Sequence, residues 1–470
     1  MEPIQRESIP ARLGLWDAVS IILGIIIGVG IFETPTRVFQ QTPSAAWAIG
    51  IWVAAGLLAL AGALVFAELS AAYPRSGGEY VYLTRAFGPL MGYVFAWAQL
   101  TVIRPGSIGA VAFVFASYAA RLMDMGPDAI VWLAAGAVLI LTLINILGVT
   151  LGKGAQNLLT LAKVLGLVAI IVFGFGWRTP PHPDPEGSLT AGVSRLALEP
   201  GWLAASTIYV LWTYAGWQEA GYVATEIRNP ARNIPRALII GTLGVTLIYV
   251  LVNLALLNSL GADGAKRTSA VSDVIANVLP TGGGQFLQVL IVISALGALN
   301  GMIFTTARIY REFGADHRLF QPLSQWDWRF GTPLRALLVQ GGISLGLIIG
   351  IGSIWDGNKA FDKAVVATAA VFWLFFALTG AALFALRAKD RDIHRPFRTP
   401  LYPWLPTVFV AMCVGMIVGA ILEEALLSLF GALLLVAGLP FYYWPRRSGE
   451  AHAQPQPLEP QPVGERESLL

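Results

Sequence analysis

The amino-acid sequence predicts an all-α membrane protein with about twelve transmembrane helices. Composition is the first reason. Of the 470 residues, 56% are hydrophobic and only 13% are charged, whereas soluble proteins carry about 25% charged residues. The second reason is that apolar runs of about 20 residues, the length that crosses a bilayer, recur along the whole chain. The class predicted from these two observations is a polytopic helical membrane protein.

Charge and cysteine usage exclude several other classes. The net charge is +3, which is too small to suggest a nucleic-acid partner. The single cysteine, Cys413, lies in an apolar run. The sequence therefore predicts neither a disulfide framework nor a cysteine metal site.

The spans follow from the apolar runs between charged residues. We place them at residues 15–40, 45–69, 87–121, 129–148, 156–176, 201–223, 236–259, 285–310, 333–352, 364–386, 403–421 and 426–444. The polar N-terminal residues run directly into the first span, so we expect no cleavable signal.

Lysine and arginine placement predicts the orientation. With a cytoplasmic N-terminus, 21 of the 31 basic residues lie on the cytoplasmic side and 8 on the other. The remaining two, Arg104 and Lys163, lie within the membrane. We therefore expect a multi-pass protein of the plasma or inner cell membrane with both termini in the cytoplasm.

The first span contains a glycine-rich stretch, from Gly24 to Phe32, that is expected to interrupt the helix. Gly28 and Gly30 bracket a single residue, and we expect the helix to open there. An interrupted helix at membrane depth survives only where it lines a cavity, and the N-terminus of its second half attracts an anion. The alternative is a packing seam of small residues, which is common in membrane helices.

The sixth span contains a second such stretch, from Thr213 to Trp217, with small residues between bulky aromatics. The first and sixth spans are corresponding members of two five-helix halves, and interrupted helices at matching positions of two halves indicate a transporter binding site. The resulting division is 1–14, cytoplasmic segment; 15–176, first inverted repeat; 177–200, extracytoplasmic loop; 201–386, second inverted repeat; 387–444, helices 11 and 12; and 445–470, disordered cytoplasmic tail.

Several short motifs stand in a characteristic order along the chain. They are Gly28-Val29-Gly30-Ile31-Phe32, Tyr73-Pro74-Arg75-Ser76-Gly77-Gly78-Glu79-Tyr80, Tyr214-Ala215-Gly216-Trp217, Thr225-Glu226-Ile227-Arg228-Asn229-Pro230, Asn300-Gly301 with Thr306-Ala307-Arg308, and Arg395-Pro396-Phe397-Arg398. With them the chain resembles the amino acid–polyamine–organocation superfamily, and within it the L-type amino acid transporter family. The resemblance implies a LeuT-like core of two inverted five-helix repeats, with helices 1 and 6 discontinuous and two further C-terminal helices.

The resemblance also implies a substrate held by its α-amino and α-carboxylate groups against unwound backbone. The carboxylate would bind N–H groups around Val29 and Gly30. The ammonium would bind the carbonyl groups of Ile26, Trp212 and Ala215, with Trp212 as an aromatic gate. The implied substrate-binding residues are Ile26, Gly28, Val29, Gly30, Trp212, Ala215, Gly216 and Glu219. The family often has Ser where this chain has Val29, so one hydroxyl contact is missing.

Lys163 is the main candidate for coupling. It lies well inside the fifth span, where an ammonium group is costly and usually functional. In sodium-independent relatives a lysine in this motif stands where sodium-coupled relatives bind their ion, and we expect Ser294 or Asn300 to be its partner. The alternative is a lysine that extends to the membrane interface.

Four other charged residues receive weaker assignments. Arg104, followed by Pro105, lies near the middle of the third span and has either a structural or a substrate role. Glu219 would contact the substrate side chain, pair with Arg104 or line a vestibule. Glu68 and Glu226 lie at helix ends beside basic residues, so we expect them in solvated ion pairs.

The sequence and the resemblance together predict a sodium-independent amino acid transporter that acts as an exchanger by alternating access. A proton-coupled symporter and a non-transporting amino acid sensor are the alternatives. We expect no enzyme activity and no cofactor or metal. Gly342, Ser344 and Gly346 match a hydrolase motif, but that motif needs a strand–turn–helix context and here lies in an apolar helix.

The partner expected from the sequence is an amino acid substrate within a lipid membrane. Animal members of the family are often linked by a disulfide to a heavy chain, through the loop after the third helix. Here that loop, residues 122–128, has no cysteine. We therefore expect no disulfide-linked heavy chain, and the sequence makes no prediction of the oligomeric state.

Overall fold

A computed structural model describes residues 11–177, 200–267, 270–352, 357–423 and 425–444. The beginning of the expected N-terminal segment, nearly all of the expected loop 177–200 and the expected tail 445–470 lie outside the described residues. Over the described part, the chain forms helices and has no β-structure beyond two isolated bridges.

The first half of the chain contributes eight α-helices. They are α1 (Leu15–Ile26), α2 (Gly30–Gln41), α3 (Ala45–Ala72), α4 (Glu79–Phe87), α5 (Pro89–Ala98), α6 (Arg104–Leu122), α7 (Ala129–Ile146) and α8 (Val149–Gly176). A π-helical turn, Gln99–Ile103, joins α5 to α6, so these two form one continuous span.

The second half contributes the remaining helices. They are α9 (Pro200–Tyr214), α10 (Glu219–Tyr222), α11 (Pro230–Ala265), α12 (Ala270–Ala276), α13 (Gly283–Asp316), α14 (Leu334–Gly352), α15 (Gly357–Lys389), α16 (Trp404–Glu423), α17 (Ala425–Ala437) and α18 (Leu439–Tyr443). Pro89 and Pro230 begin their helices, where a missing N–H has no cost and the fixed φ of proline is already helical.

Nine helices in the described part are long and apolar enough to cross a membrane, or ten if α1 and α2 count as one span bent by 48°. Each predicted span overlaps at least one helix of the structure. The shortfall from twelve lies at α9, which ends early at the second interruption, and at α14, whose apolar part is short. The predicted all-α membrane fold is confirmed.

The helix is interrupted at both glycine-rich stretches. α1 ends at Ile26 and α2 begins at Gly30, while α9 ends at Tyr214 and α10 begins at Glu219. Gly216 has φ of 125°, a conformation that only glycine adopts without strain. Three long helices, α8, α11 and α13, pack against α1 and so enclose the first interruption.

Glu68 and Glu226 form ion pairs, but the expectation that these pairs are solvated was wrong. Both side chains are buried, at 0% and 1% exposed. Glu68 pairs with Arg387 at 2.5 Å and also accepts a hydrogen bond from the backbone N–H of Thr399 at 2.7 Å. Glu226 pairs with Arg308 at 2.7 Å. Glu68 is buried because the segment after α15, which contains Thr399, folds back over the C-terminal end of α3.

Candidate functional site

A cavity of about 870 Å³, its open mouth included, lies between the two interrupted helices. Helices α6, α13 and α15 complete its walls. Twelve residues were predicted to bind substrate or to take part in coupling. Nine of them line this cavity: Ile26, Gly28, Val29, Gly30, Arg104, Trp212, Ala215, Gly216 and Glu219. The other three, Lys163, Ser294 and Asn300, do not line it.

One side of the cavity is rich in hydrogen-bond donors. Gly30 is the first residue of α2 and Val29 is its N-cap, and the first N–H groups of a helix have no partner within that helix. The helix dipole adds partial positive charge at the same place. A Cβ atom on Gly30 would lie only 2.8 Å from the Oγ1 atom of Thr213. Glycine therefore lets the two interruptions approach each other, and the arrangement suits a carboxylate.

The carbonyl groups that the family resemblance assigns to the substrate ammonium are partly occupied. The oxygen of Ile26 accepts from the N–H of Gly28 at 2.7 Å and from the hydroxyl of Tyr249 at 2.8 Å. The oxygen of Trp212 accepts from the N–H of Ala215 at 3.2 Å. A carbonyl oxygen has two lone pairs, so an ammonium at Ile26 must displace one of the two existing donors.

Lys163 lies behind the first interruption and is fully buried. Its ammonium donates to the carbonyl oxygens of Gly24 at 2.7 Å, Ile27 at 2.8 Å and Ser294 at 3.0 Å. The hydroxyl of Ser294 donates to Ile27 and Gly28, at 3.0 and 3.1 Å. The ammonium thus joins α8 to the interruption after α1 and to α13 through a set of carbonyl oxygens.

Asn300 forms hydrogen bonds with α7 and α8 and not with Lys163. Its amide nitrogen donates to the oxygen of Gly152 at 3.1 Å and to Gln156 at 2.9 Å, and its oxygen accepts from Asn145 at 2.9 Å. These bonds tie α13 to α7 and α8. Of the two partners suggested for Lys163, the structure places Ser294 beside it, through the backbone, and directs Asn300 elsewhere.

Arg104 and Glu219 lie on the cavity wall and contact each other. The distance between Nη2 of Arg104 and Oε1 of Glu219 is 2.5 Å. The other oxygen of Glu219 accepts from the hydroxyl of Thr305 at 2.6 Å, and Nε of Arg104 donates to Gln99 at 3.0 Å. This network connects α6, α10 and α13.

Sequence reasoning missed several residues of the site. Tyr249 on α11 reaches both interruptions, since its hydroxyl lies 2.8 Å from the oxygen of Ile26 and 3.4 Å from that of Thr213. Phe372 and Trp373 on α15 line the cavity. An aromatic residue in an apolar span carries no signal that separates a cavity wall from the core, so only the structure assigns them.

The fold and site together define a class of protein. An all-α membrane bundle with a cavity between two interrupted helices is the architecture of secondary transporters. The family described as "Amino acid permease" matches residues 13–442 of this chain. The chain belongs to the amino acid permease family, as its motifs predicted, and this family is one of transporters and not of enzymes.

Individual relatives match over nearly the full length. The chain is 33% identical to the b(0,+)-type amino acid transporter 1 of Mus musculus, over 94% of this chain and 89% of the relative. It is 30% identical to the serine/threonine exchanger SteT of Bacillus subtilis, over 92% and 96%. It is 29% identical to the cystine/glutamate transporter of Homo sapiens, over 93% and 86%.

Proposed function

We propose that this protein is a sodium-independent amino acid exchanger that works by alternating access. The observation that carries the proposal is the ammonium of Lys163 among the carbonyl oxygens of Gly24, Ile27 and Ser294. Unwound backbone carbonyls coordinate the coupling ion in transporters with interrupted helices. Here a covalently attached cation takes those oxygens, so no free ion is needed there.

The substrate site lies at the two interruptions. The N–H groups at Val29 and Gly30 hold the α-carboxylate, and carbonyl groups at the facing interruption hold the α-ammonium. Trp212 lines the cavity at that interruption and closes over the substrate. Backbone groups therefore bind both charges of the zwitterion, and no charged side chain is needed for them. This agrees with relatives named as amino acid transporters and as a serine/threonine exchanger.

The protein lies in the cell membrane with both termini in the cytoplasm and works without a disulfide-linked heavy chain. The distribution of basic residues supports the orientation. The absence of cysteine from residues 122–128 and the burial of Cys413 support the single-chain state.

Uptake into proteoliposomes tests the proposal. With labelled serine outside, we expect uptake that requires unlabelled amino acid inside and is unchanged when choline replaces sodium. Lys163→Ala should lower uptake at least about tenfold, equivalent to about 1.4 kcal/mol of barrier, because the carbonyl oxygens lose their cation. Lys389→Ala, at an exposed position, is the matched control.

Three results would contradict the proposal. Accumulation driven by a sodium gradient would show that Lys163 does not replace the ion. Uptake into vesicles that contain no amino acid, and that rises as the outside is made more acidic, would indicate proton symport. Saturable binding with no movement of label would indicate a sensor.

A further inference from the structure

Two charged side chains line the cavity within the described part of the chain, and they neutralise each other. Arg104 is 3% exposed and Glu219 is 1% exposed. Their closest atoms are 2.5 Å apart. The cavity wall therefore presents one positive and one negative charge with a sum of zero.

Part of the remaining hydrogen-bonding capacity of this pair is also used. Glu219 gives its second oxygen to the hydroxyl of Thr305. Arg104 donates through Nε to Gln99, and its guanidinium lies over the ring of Tyr222, 5.4 Å from the centroid. A charged substrate side chain would meet an unneutralised counter-charge here only by breaking this pair, and breaking a buried ion pair is strongly unfavourable.

The other polar groups on the wall are uncharged. The side-chain oxygen of Gln218 is buried and has no hydrogen-bond partner among the described residues, so it offers a neutral acceptor. Apolar groups such as Val111, Met302 and Phe372 cover much of the rest. A charged side chain in this cavity would lose its hydration without a free counter-charge.

We propose that the Arg104–Glu219 ion pair restricts the carrier to amino acids with uncharged side chains, and that Glu219 is the residue that excludes acidic ones. Glu219 occupies the guanidinium that would otherwise bind a substrate carboxylate. Removing the negative charge of Glu219 leaves Arg104 unpaired on the cavity wall. The inference rests on the proposed function, because it assigns the substrate class of the same site.

The test compares glutamine with glutamate as competitors of labelled serine, in binding to purified protein and in exchange. These two amino acids differ in charge and hardly in shape. For the wild type we expect glutamate to compete at least about tenfold more weakly than glutamine, a difference of about 1.4 kcal/mol. Glu219→Gln should improve glutamate relative to glutamine by at least about tenfold.

Two further variants control for a merely structural effect. Glu226→Gln removes the same charge from a buried pair with Arg308 that does not line the cavity, so the glutamate-to-glutamine ratio should stay at the wild-type value. Arg104→Gln with Glu219→Gln removes both charges, and the ratio should return toward the wild-type value because no unpaired cation remains.

The proposal is overturned if the wild type accepts glutamate as well as glutamine. It is also overturned if the ratio in Glu219→Gln equals that in Glu226→Gln. Should Glu219→Gln fail to fold, the wild-type comparison still decides, because glutamate that competes as well as glutamine overturns the proposal. If the wild type binds and exchanges no amino acid at all, the proposed function fails instead, so the two failures are distinguishable.

Discussion

Glu79 is a buried carboxylic acid at the beginning of α4 with one unused oxygen. It is 1% exposed, and its Oε1 atom accepts from the hydroxyl of Tyr222 at 2.9 Å. Its Oε2 atom has no partner among the described residues. Burial raises the pKa of this carboxyl from 4.5 to about 8, because the charged form loses its hydration. The side chain is therefore mostly protonated at neutral pH.

This shift predicts a pH dependence of stability. The pKa in the folded state lies above that in the unfolded state, so the free energy of unfolding falls as the pH rises from about 4.5 to about 8 and levels off beyond that range. Glu79→Gln keeps the hydrogen bond from Tyr222 without the ionisable proton. We expect the variant to lose that decline, gaining about 1–3 kcal/mol over the wild type at the alkaline end.

The measurement is the melting temperature of purified protein across this range. Asp128→Asn, at an exposed position before α7, provides the control and should follow the wild-type curve. Parallel curves for the wild type and Glu79→Gln would show that Glu79 is ionised in the folded protein.

At the scale of helices, the two interruptions act as one unit. Gly30 packs directly on Thr213. The hydroxyl of Thr213 also forms a hydrogen bond with the hydroxyl of Thr34 on α2, at 3.0 Å. Gly216 packs on the other interruption, where an added Cβ atom would lie 2.9 Å from the side chain of Ile25. A larger side chain at either interruption would therefore displace residues of the other.

Gly30→Leu should fill the space between the interruptions and weaken substrate binding by at least about tenfold, or about 1.4 kcal/mol. The reason is that its Cβ atom alone would come within 3 Å of Thr213, and the side chain would cover the N–H groups of α2. Equilibrium binding of labelled serine to purified protein measures the effect.

Gly50→Leu on α3 adds the same side chain where a Cβ atom meets nothing within 4 Å, so it should bind like the wild type. Normal binding by Gly30→Leu, in protein that elutes like the wild type, would move the substrate site away from the interrupted helices.

At the scale of the whole molecule, polar side chains lie in the interior and many large apolar side chains lie on the surface. On α8 the side chains of Leu158, Leu161 and Leu165 are 68%, 57% and 59% exposed. On the opposite face of the same helix, Gln156 and Lys163 are buried. Large exposed apolar surfaces are rare on monomeric proteins in water, and here they face the lipid, while the hydrogen-bonding groups converge on the centre.

The whole chain should purify as a single covalent species. Cys413 is fully buried and cannot reach another protein without unfolding of α16. Migration on denaturing gels with and without reductant should therefore be identical for the wild type and for Cys413→Ala. A slower wild-type band that is lost on reduction and absent from Cys413→Ala would identify a disulfide-linked partner.

The sequence by itself determined the class, the spans and the positions of both interruptions. These are local properties. The length of an apolar run indicates whether it can cross the bilayer, and glycine indicates where the backbone can leave the helical conformation. It also located Lys163, since a lone cation within an apolar run stands out against its neighbours. None of these inferences requires knowledge of which helices touch.

Only the tertiary structure decided the partners of these residues. Arg104 and Glu219 are 115 residues apart in the chain, and Lys163 is 139 residues from Gly24. Whether such groups meet depends on the depth and packing angle of their helices, which no local pattern encodes. For the same reason the sequence left three roles open for Glu219 and gave no hint of Tyr249, whereas packing brings both to the cavity and its interruptions.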